Sequence, residues 1–239
     1  METRVDEIAD RIYRVSTFVS PVGFNFNQFL IDGDEPMLFH TGQRSLFPSV
    51  SEAVARIIDL KRLKWITFSH IESDECGALD QWLAAAPDAT AAHSVIGCNT
   101  WLNDSAPRPP RPLKNNELLE LGGKRVRHLD TPHVPHSWDA GLIFEETTRT
   151  LFSSDLLFQF GDTPPLASGD ILAPAIVAEE RFHATPITAE APKVVRQLAA
   201  LEPKTIAIMH GSSISGEVCP VLEGLADYYD RHLRDALSA

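Results

Sequence analysis

The sequence predicts an α/β fold of four layers, in which two β-sheets lie face to face and helices cover their outer sides. Strand-like segments occur in both halves of the chain, and segments with helical spacing of apolar residues follow them in each half. Since the apolar face of a sheet must be buried by another layer, this order of elements favours an αββα sandwich. The chain has 239 residues, 44% of them hydrophobic, and can bury a large core, so we expect a single domain over residues 1–239.

In the first half, three strands are predicted before the first helix. They cover residues 11–15, 24–31 and 37–40, with a turn at 32–34 before the third strand. Apolar residues then repeat at helical spacing from Val50 to Ile58, which predicts a helix that ends near Leu60. The apolar run 65–68 predicts a buried strand, and a polar loop, a helix and a further strand are expected through His93.

In the second half, a proline-rich connector at 106–112 leads into two predicted hairpins. The hairpins cover residues 118–129 and 142–152 and turn at 122–123 and 147–148. A loop is expected over residues 161–174. The chain is then predicted to form a helix near 189–201, a strand over 205–209 and a last helix near 221–237.

The polar loop from His70 to Glu75 follows the predicted buried strand and carries several metal-type ligands. Because alternate side chains of an extended segment share a face, His70, Glu72 and Asp74 can point the same way. Three further segments each present one such side chain beside small or turn-forming residues: His133, Asp155 and His210. Without metal, carboxylates gathered there would repel one another by about 4 kcal/mol per pair, at about 4 Å in an effective dielectric of about 20. Two divalent cations would turn these oxygens into ligands, so the segments together predict a binuclear metal site.

The alternative interpretation of these residues is an acidic surface turn with three unrelated histidines. For any one of the residues taken singly, this alternative is favoured. For the whole set, the position of each candidate at the C-terminal end of a predicted strand favours the metal site.

These segments resemble the metallo-β-lactamase superfamily, whose hydrolases carry H-x-H-x-D-H in the first metal loop. Here Glu72 stands in place of the second histidine, which is similar to the H-x-E-x-D-H loop of flavodiiron proteins and of stand-alone oxygen-binding diiron proteins. Residues 133–137, Ser154-Asp155 and His210-Gly211 are similar to the later ligand segments of that family. The resemblance extends from Asn25 to the His210 loop and implies a metallo-β-lactamase-like sandwich.

The resemblance also implies a ligand set. One metal ion would be held by His70, Glu72, His133 and Asp155, and the other by Asp74, Asp155 and His210, with Asp155 as the bridge. The two ions implied are iron, with zinc or manganese as alternatives. His136 is a candidate catalytic proton relay beside the site, and the alternative for it is an exposed loop imidazole.

Two positions depart from the diiron pattern. Glu75 stands where the family ends its first loop in histidine, and we expect it to act as a ligand, as a catalytic proton acceptor for bound water, or as a residue that starts the following helix. His40 stands where many superfamily members have aspartate. We therefore expect the affinity and redox behaviour of the second metal, and the support of the first, to differ from the family.

The function implied by the resemblance is a non-haem diiron protein that binds or reduces dioxygen or a related small oxidant. Neither a G-x-G-x-x-G motif nor a flavodoxin-like phosphate loop occurs, so we expect no flavodoxin domain and an external protein as electron donor. The resemblance also implies a homodimer. Redox chemistry of this kind requires a metal other than zinc.

Two other functions fit the same residues. The first is a binuclear hydrolase of esters, thioesters or phosphodiesters, in which the metals lower the pKa of a bound water. The second is an oxygen or redox sensor without catalytic turnover. Whether the protein is an enzyme therefore stays open at this point.

Composition excludes several other classes. The formal net charge is −12 and there is no continuous basic stripe, so we expect no nucleic-acid partner. Neither a run of about 20 apolar residues nor an apolar N-terminal leader occurs, so a cytoplasmic protein without membrane contact is expected. Cys76, Cys98 and Cys219 form no C-x-x-C pair, which argues against a disulfide framework and a thiolate zinc site.

Overall fold

The computed structural model describes residues 2–238, and two mixed β-sheets form its centre. The first sheet has seven strands in sequence order: β1 (Thr3–Ala9), β2 (Ile12–Val19), β3 (Phe24–Ile31), β4 (Met37–Phe39), β5 (Trp65–Thr67), β6 (Thr90–Ser94) and β7 (Arg111–Leu113). The second sheet has six strands: β8 (Leu118–Glu120), β9 (Arg125–Asp130), β10 (Gly141–Glu145), β11 (Thr150–Ser154), β12 (Thr205–Ile208) and β13 (Ile214–Ser215). Their spatial order is β13-β12-β11-β10-β9-β8.

Helices flank both sheets. They are α1 (Phe47–Ala55), α2 (Ser73–Cys76), α3 (Leu79–Ala85), α4 (Val95–Gly97), α5 (Asn103–Ser105), α6 (Leu172–Phe182), α7 (Ala191–Ala199) and α8 (Cys219–Ser238). A 3₁₀ turn covers Leu60–Arg62, and a π-helical turn covers Cys98–Leu102. None of the helices within residues 2–238 combines the length and the apolar character needed to cross a lipid bilayer.

The four-layer arrangement predicted from the sequence is confirmed by the way the core is divided. Between the sheets, Phe152 of β11 packs against Phe29 and Phe39 of the first sheet, with ring centroids 5.6 and 5.4 Å apart. A second cluster fills the space between the first sheet and its helices, around Trp82. A third lies between the second sheet and α6, α7 and α8, around Leu222. Burial of these apolar side chains is the main favourable term that holds the layers together.

Parallel strand pairs set the position of the polar loops. Strands β4, β5 and β6 run parallel in the first sheet, and β11 and β12 run parallel in the second. The carboxyl ends of parallel strands meet at one edge of a sheet, where ligands commonly bind. The two sheets are also joined at this edge, because the backbone N–H of Asn27 donates to the Met209 carbonyl (3.1 Å) and that of Gly141 to the Ser69 carbonyl (2.7 Å).

Besides the short elements α4, α5 and β13, three elements were not predicted from the sequence. Strand β1 is rich in charged residues and pairs only with β2 at the edge of the sheet, so its apolar alternation is weak. Strand β7 lies at the end of the proline-rich connector. Helix α6 buries the small residues Ala175 and Ala178 with Glu179, and therefore lacks the stripe of large apolar residues that marks an amphipathic helix.

Candidate metal centre

The loop after β5 supplies four side chains to one cluster at the joined edge of the sheets. His70 and Glu75 are fully buried, Asp74 is 9% exposed, and the side chain of Glu72 is half exposed. Nε2 of His70 lies 3.2 Å from Oε2 of Glu72 and 3.9 Å from Oε2 of Glu75. The extended loop backbone and the short helix α2 together turn these side chains toward the second sheet.

The second sheet supplies three more side chains to the same cluster. Nε2 of His136 lies 3.0 Å from Oε2 of Glu72 and 3.4 Å from Oδ2 of Asp155. Nε2 of His210 lies 3.2 Å from Oδ2 of Asp74 and 3.4 Å from Oδ1 of Asp155. Asp155 therefore stands in the middle, with one oxygen facing each side of the cluster.

Three groups of ligand atoms can be recognised, each with its atoms within 4.8 Å of one another. They are His70, Glu72 and His136; His70, Glu75 and Asp155; and Asp74, Glu75 and His210. Metal–ligand bonds of about 2.0–2.2 Å place neighbouring ligand atoms roughly 3.0–3.5 Å apart around a shared ion. Five of the nitrogen–oxygen distances in this cluster fit that range, whereas Nε2 of His70 lies somewhat farther from Asp155 (3.6 Å) and from Glu75 (3.9 Å).

Unpartnered polar atoms give independent support for bound cations. Both carboxylate oxygens of Glu75 and Oδ1 of Asp155 are buried without a hydrogen-bond partner. A buried polar group without a partner is costly, and such groups commonly coordinate metals. The residues present therefore fit a binuclear metal centre.

The placement of His133 corrects the expectation from the sequence. Its side chain is exposed and belongs to none of the three groups, whereas His136 contacts Glu72 and stacks against His70 with ring centroids 4.4 Å apart. The loop folds back on itself, since the His133 N–H donates to the Ser137 carbonyl at 2.7 Å, and this brings His136 to the cluster. The two histidines are three residues apart, and nothing in their spacing distinguishes the one that reaches the cluster.

Glu75 lies in the first turn of α2 and also faces the cluster, so the ligand and helix-start interpretations are compatible. Burial, and then the charges of Asp155 and Asp74, raise the pKa of Glu75 well above its usual value. By contrast, hydrogen bonds with His136 and His70 hold the pKa of Glu72 far below its usual value. The two carboxyls thus differ strongly in their electrostatic surroundings when no cation is near.

Serine and histidine side chains behind the cluster orient His70. The hydroxyl of Ser69 lies 2.8 Å from Nδ1 of His70, 2.6 Å from the hydroxyl of Ser154 and 3.1 Å from Nε2 of His40. A metal-binding histidine is commonly fixed through its other ring nitrogen in this way. His40 therefore reaches His70 through Ser69. No role was predicted for the hydroxyl of either serine, because hydroxyls beside strands carry no distinctive spacing.

The His210 loop is held by the first sheet. Nδ1 of His210 donates to the Asn25 carbonyl at 2.8 Å, which leaves Nε2 free for a metal. The side-chain amide of Asn27 donates to the carbonyls of Ile208 (2.8 Å) and Gly211 (2.9 Å), and the buried Arg14 guanidinium donates to the latter at 3.0 Å. None of these supporting residues was identified from the sequence, since no local motif marks them.

Asp139 connects the two ligand loops. Its Oδ2 accepts from the backbone N–H of Ile71 at 3.0 Å and lies 3.3 Å from Nε2 of His93. Its Oδ1 accepts from the Ser137 hydroxyl. His93, to which the sequence gave no role, is fully buried and supports this connection.

A pocket of about 290 Å³ opens beside the cluster. Its apolar wall includes Phe24, Phe26, Phe158 and Phe182, and its polar wall includes Glu72, Asp74, His136, Asp155 and His210. Phe160 supports this wall from behind by stacking on Phe24 at 4.9 Å, whereas Trp138 is half exposed and does not line the pocket. The pocket has room for a small molecule between the aromatic side chains and the cluster.

The family of the chain is shown by its sequence. The sequence model of the ODP family beta lactamase matches residues 24–211, which is most of the chain. This chain belongs to the ODP family. The matched region includes His70, His136, Asp155 and His210, and thus spans both sheets and the whole cluster.

Among curated relatives, the ODP family chain is similar to rubredoxin-oxygen oxidoreductase of Megalodesulfovibrio gigas, with 25% identity over 69% of this chain. The match covers 37% of that relative, so the chain corresponds to less than half of its length. A second relative is the anaerobic nitric oxide reductase flavorubredoxin of Aeromonas hydrophila, with 21% identity over 90% of this chain and 45% of that protein.

Solved structures show the same fold. The structure of putative diflavin flavoprotein A 5 (fragment 1-254) from Nostoc sp. PCC 7120 superposes with a TM-score of 0.82 and 15% identity, over 100% of this chain and 99% of that one. These values show that the ODP family chain has the metallo-β-lactamase-like fold of flavodiiron cores.

In this ODP family chain, Asn27→Ala is expected to lower the free energy of unfolding by about 1–3 kcal/mol, because the buried Ile208 carbonyl loses its side-chain donor and the Gly211 carbonyl keeps only that of Arg14. Denaturant titration of the metal-free protein measures the change. Asn99→Ala, at an exposed position, serves as the matched control and should leave the midpoint unchanged. Equal stability of Asn27→Ala and the unsubstituted protein would contradict the role given to Asn27.

Proposed function

We propose that the protein is a binuclear non-haem iron protein that binds or reduces dioxygen or a related small oxidant, with electrons from a separate donor protein. The observation that carries the proposal is a carboxylate, Glu72, between His70 and His136 at the edge of a small apolar pocket. Rubredoxin-oxygen oxidoreductase is among the similar proteins, and its name adds support.

The proposed ligand set follows the two sides of the cluster. One ion would be held by His70, Glu72, His136 and Asp155. The other would be held by Asp74, Glu75, His210 and Asp155. When bound, two ferrous ions supply electrons to an oxidant and can be reduced again from outside, which zinc does not do.

The protein side chains would bind the oxidant and limit water at the cluster. The aromatic wall favours a small apolar ligand, because ordering water against apolar rings is unfavourable. Glu72 is half exposed, so a carboxylate oxygen that is not bound to the metal can exchange a proton with solvent at the edge of the pocket.

A hydrolase is the second candidate, because the family itself is described as a beta lactamase. In that reaction the metals would activate a bound water toward an ester, thioester or phosphodiester. The carboxylate of Glu72 argues against it, since an anionic ligand lowers the Lewis acidity of the ion. The sensor function uses the same residues as the first candidate and differs only in lacking turnover.

The two chemistries can be separated with defined metals. The anaerobic protein is loaded with two equivalents of Fe(II) or of Zn(II). We expect the ferrous form to consume dioxygen with a change in visible absorption. The zinc form is tested with a chromogenic cephalosporin, a nitrophenyl thioester and bis-nitrophenyl phosphate. We expect its kcat/KM for each to lie far below roughly 10⁴ M⁻¹s⁻¹, the lower end of the range typical of enzymes.

Glu72→His provides the matched comparison, because it restores the loop pattern of the hydrolases. It should slow the reaction of the ferrous form with dioxygen and raise hydrolysis by the zinc form. A fast zinc hydrolase whose ferrous form is inert toward dioxygen would overturn the proposal. The donor protein, the homodimer and the cytoplasmic location stay predictions.

A further inference from the structure

The two sides of the metal cluster have unequal donor sets. The first side has two imidazoles, His70 and His136, with the Glu72 carboxylate. The second side has one imidazole, His210, with the carboxylates of Asp74 and Glu75. Asp155 contributes one oxygen to each side. The first side thus has two nitrogen and two oxygen donors, whereas the second side has one nitrogen and three oxygen donors.

Glu75 creates this inequality. Its carboxylate is fully buried and has no hydrogen-bond partner on either oxygen. It lies with Asp74 and His210 in one group of ligand atoms and with His70 and Asp155 in another. With an imidazole at this position, the second side would have two nitrogen donors and match the first. Nε2 of His70 lies 3.9 Å from Glu75 but 3.2 Å from Glu72, so we assign Glu75 to the second side, where it changes the donor set.

A proton shared between Glu75 and Asp74 is the competing occupant of this space. Such a proton would satisfy at most one Glu75 oxygen. It would leave the other oxygen, and the buried Oδ1 of Asp155, without a partner. A cation at the second position would serve as a partner for the Glu75 carboxylate and for Oδ1 of Asp155. It would therefore satisfy more of these buried oxygens than a shared proton does.

Oxygen-rich donor sets change metal preference in a known direction. Affinities for divalent ions rise from Mn(II) to Fe(II) at a given site, but carboxylate oxygens suit manganese, whereas imidazole nitrogens suit iron, copper and zinc. Replacement of one imidazole by a carboxylate therefore reduces the difference between the affinities of the site for Fe(II) and for Mn(II). This effect would act on the second position alone.

We propose that Glu75 makes the second metal position a site for a hard divalent ion, so that it accepts Mn(II) about as readily as Fe(II), while the first position retains its preference for iron. The inference rests on the proposed binuclear centre. It predicts that a mixed manganese–iron form assembles when both ions are present.

The test is an anaerobic equilibrium dialysis of the full chain against equal concentrations of Mn(II) and Fe(II). Bound metals are then measured by elemental analysis, and the manganese environment by electron paramagnetic resonance. Since iron fills the first position and the two ions share the second about evenly, we expect about 0.5 manganese and about 1.5 iron ions per chain in the unsubstituted protein. In Glu75→His, bound manganese should fall by at least about tenfold and be replaced by iron.

Two further variants complete the design. Glu75→Gln keeps one oxygen donor and nearly the same shape, and it should also reduce bound manganese without a change in circular dichroism, so it carries the test if Glu75→His does not fold. Asp80→His is the matched control at an exposed carboxylate and should leave the metal ratio unchanged.

The outcomes separate this inference from the function on which it rests. Two bound iron ions, with the same metal ratio in the unsubstituted protein and in Glu75→His, would overturn the role of Glu75 and leave the binuclear centre intact. A total of one bound metal ion per chain or fewer, with manganese and iron counted together, would overturn the binuclear centre itself, and this inference with it.

Discussion

Asp155→Ala is expected to lose high-affinity binding at both metal positions. Oδ2 of Asp155 lies 3.6 Å from His70 and 3.4 Å from His136, while Oδ1 lies 3.4 Å from His210. One side chain faces both groups, so its removal should raise both metal dissociation constants. The increase should exceed the roughly 10–100-fold loss of metal affinity that follows removal of a residue that only supports a ligand. Anaerobic iron titration with elemental analysis measures both constants.

Asp235→Ala removes an exposed aspartate from α8 and is the matched control. It should bind two metals as the unsubstituted protein does. If Asp155→Ala also retained two metals at unchanged affinity, Asp155 would not be the bridge.

The second large effect concerns the two neighbouring histidines of the loop after β9. His136→Ala should lose the metal on the side of His70 and Glu72, since its Nε2 faces that group. His133→Ala removes an exposed imidazole three residues away and should keep both metals. The pair thus forms its own control, because both substitutions lie in the same loop. Metal content per chain, measured after dialysis against a weak chelator, distinguishes them.

The opposite result would have a clear meaning. If His133→Ala lost a metal and His136→Ala kept both, the loop would adopt a different arrangement around the bound ion. The ligand set would then follow the expectation from the sequence and not the position of the side chains described above.

Much of the candidate site follows from local sequence rules. The apolar run before His70 predicts a strand end, and the extended loop after it places His70, Glu72 and Asp74 on one side. Asp155 and His210 likewise follow apolar runs that form β11 and β12. Since parallel strands end at a common edge, these residues could be expected to meet before any coordinates were known.

The remaining parts depend on contacts that local sequence does not encode. The selection of His136 over His133 depends on how the loop turns and on the Asp139 contact to Ile71. The support of His210 by the Asn25 carbonyl joins residues 185 positions apart. Helix α6, which contributes Phe182 to the pocket wall, buries mainly small side chains and gives little periodic signal.

The division of the proposed ligands between the sheets has a consequence for folding. Four of them follow β5 of the first sheet, and the other three follow strands of the second. A bound ion therefore connects the halves of the sandwich, and neither half can separate without releasing it. Ligand binding to the native state alone adds about 2.7 kcal/mol of stability at one hundred times the dissociation constant. Metal supply in the cell would thus also set how long the chain resists proteolysis, independently of any turnover.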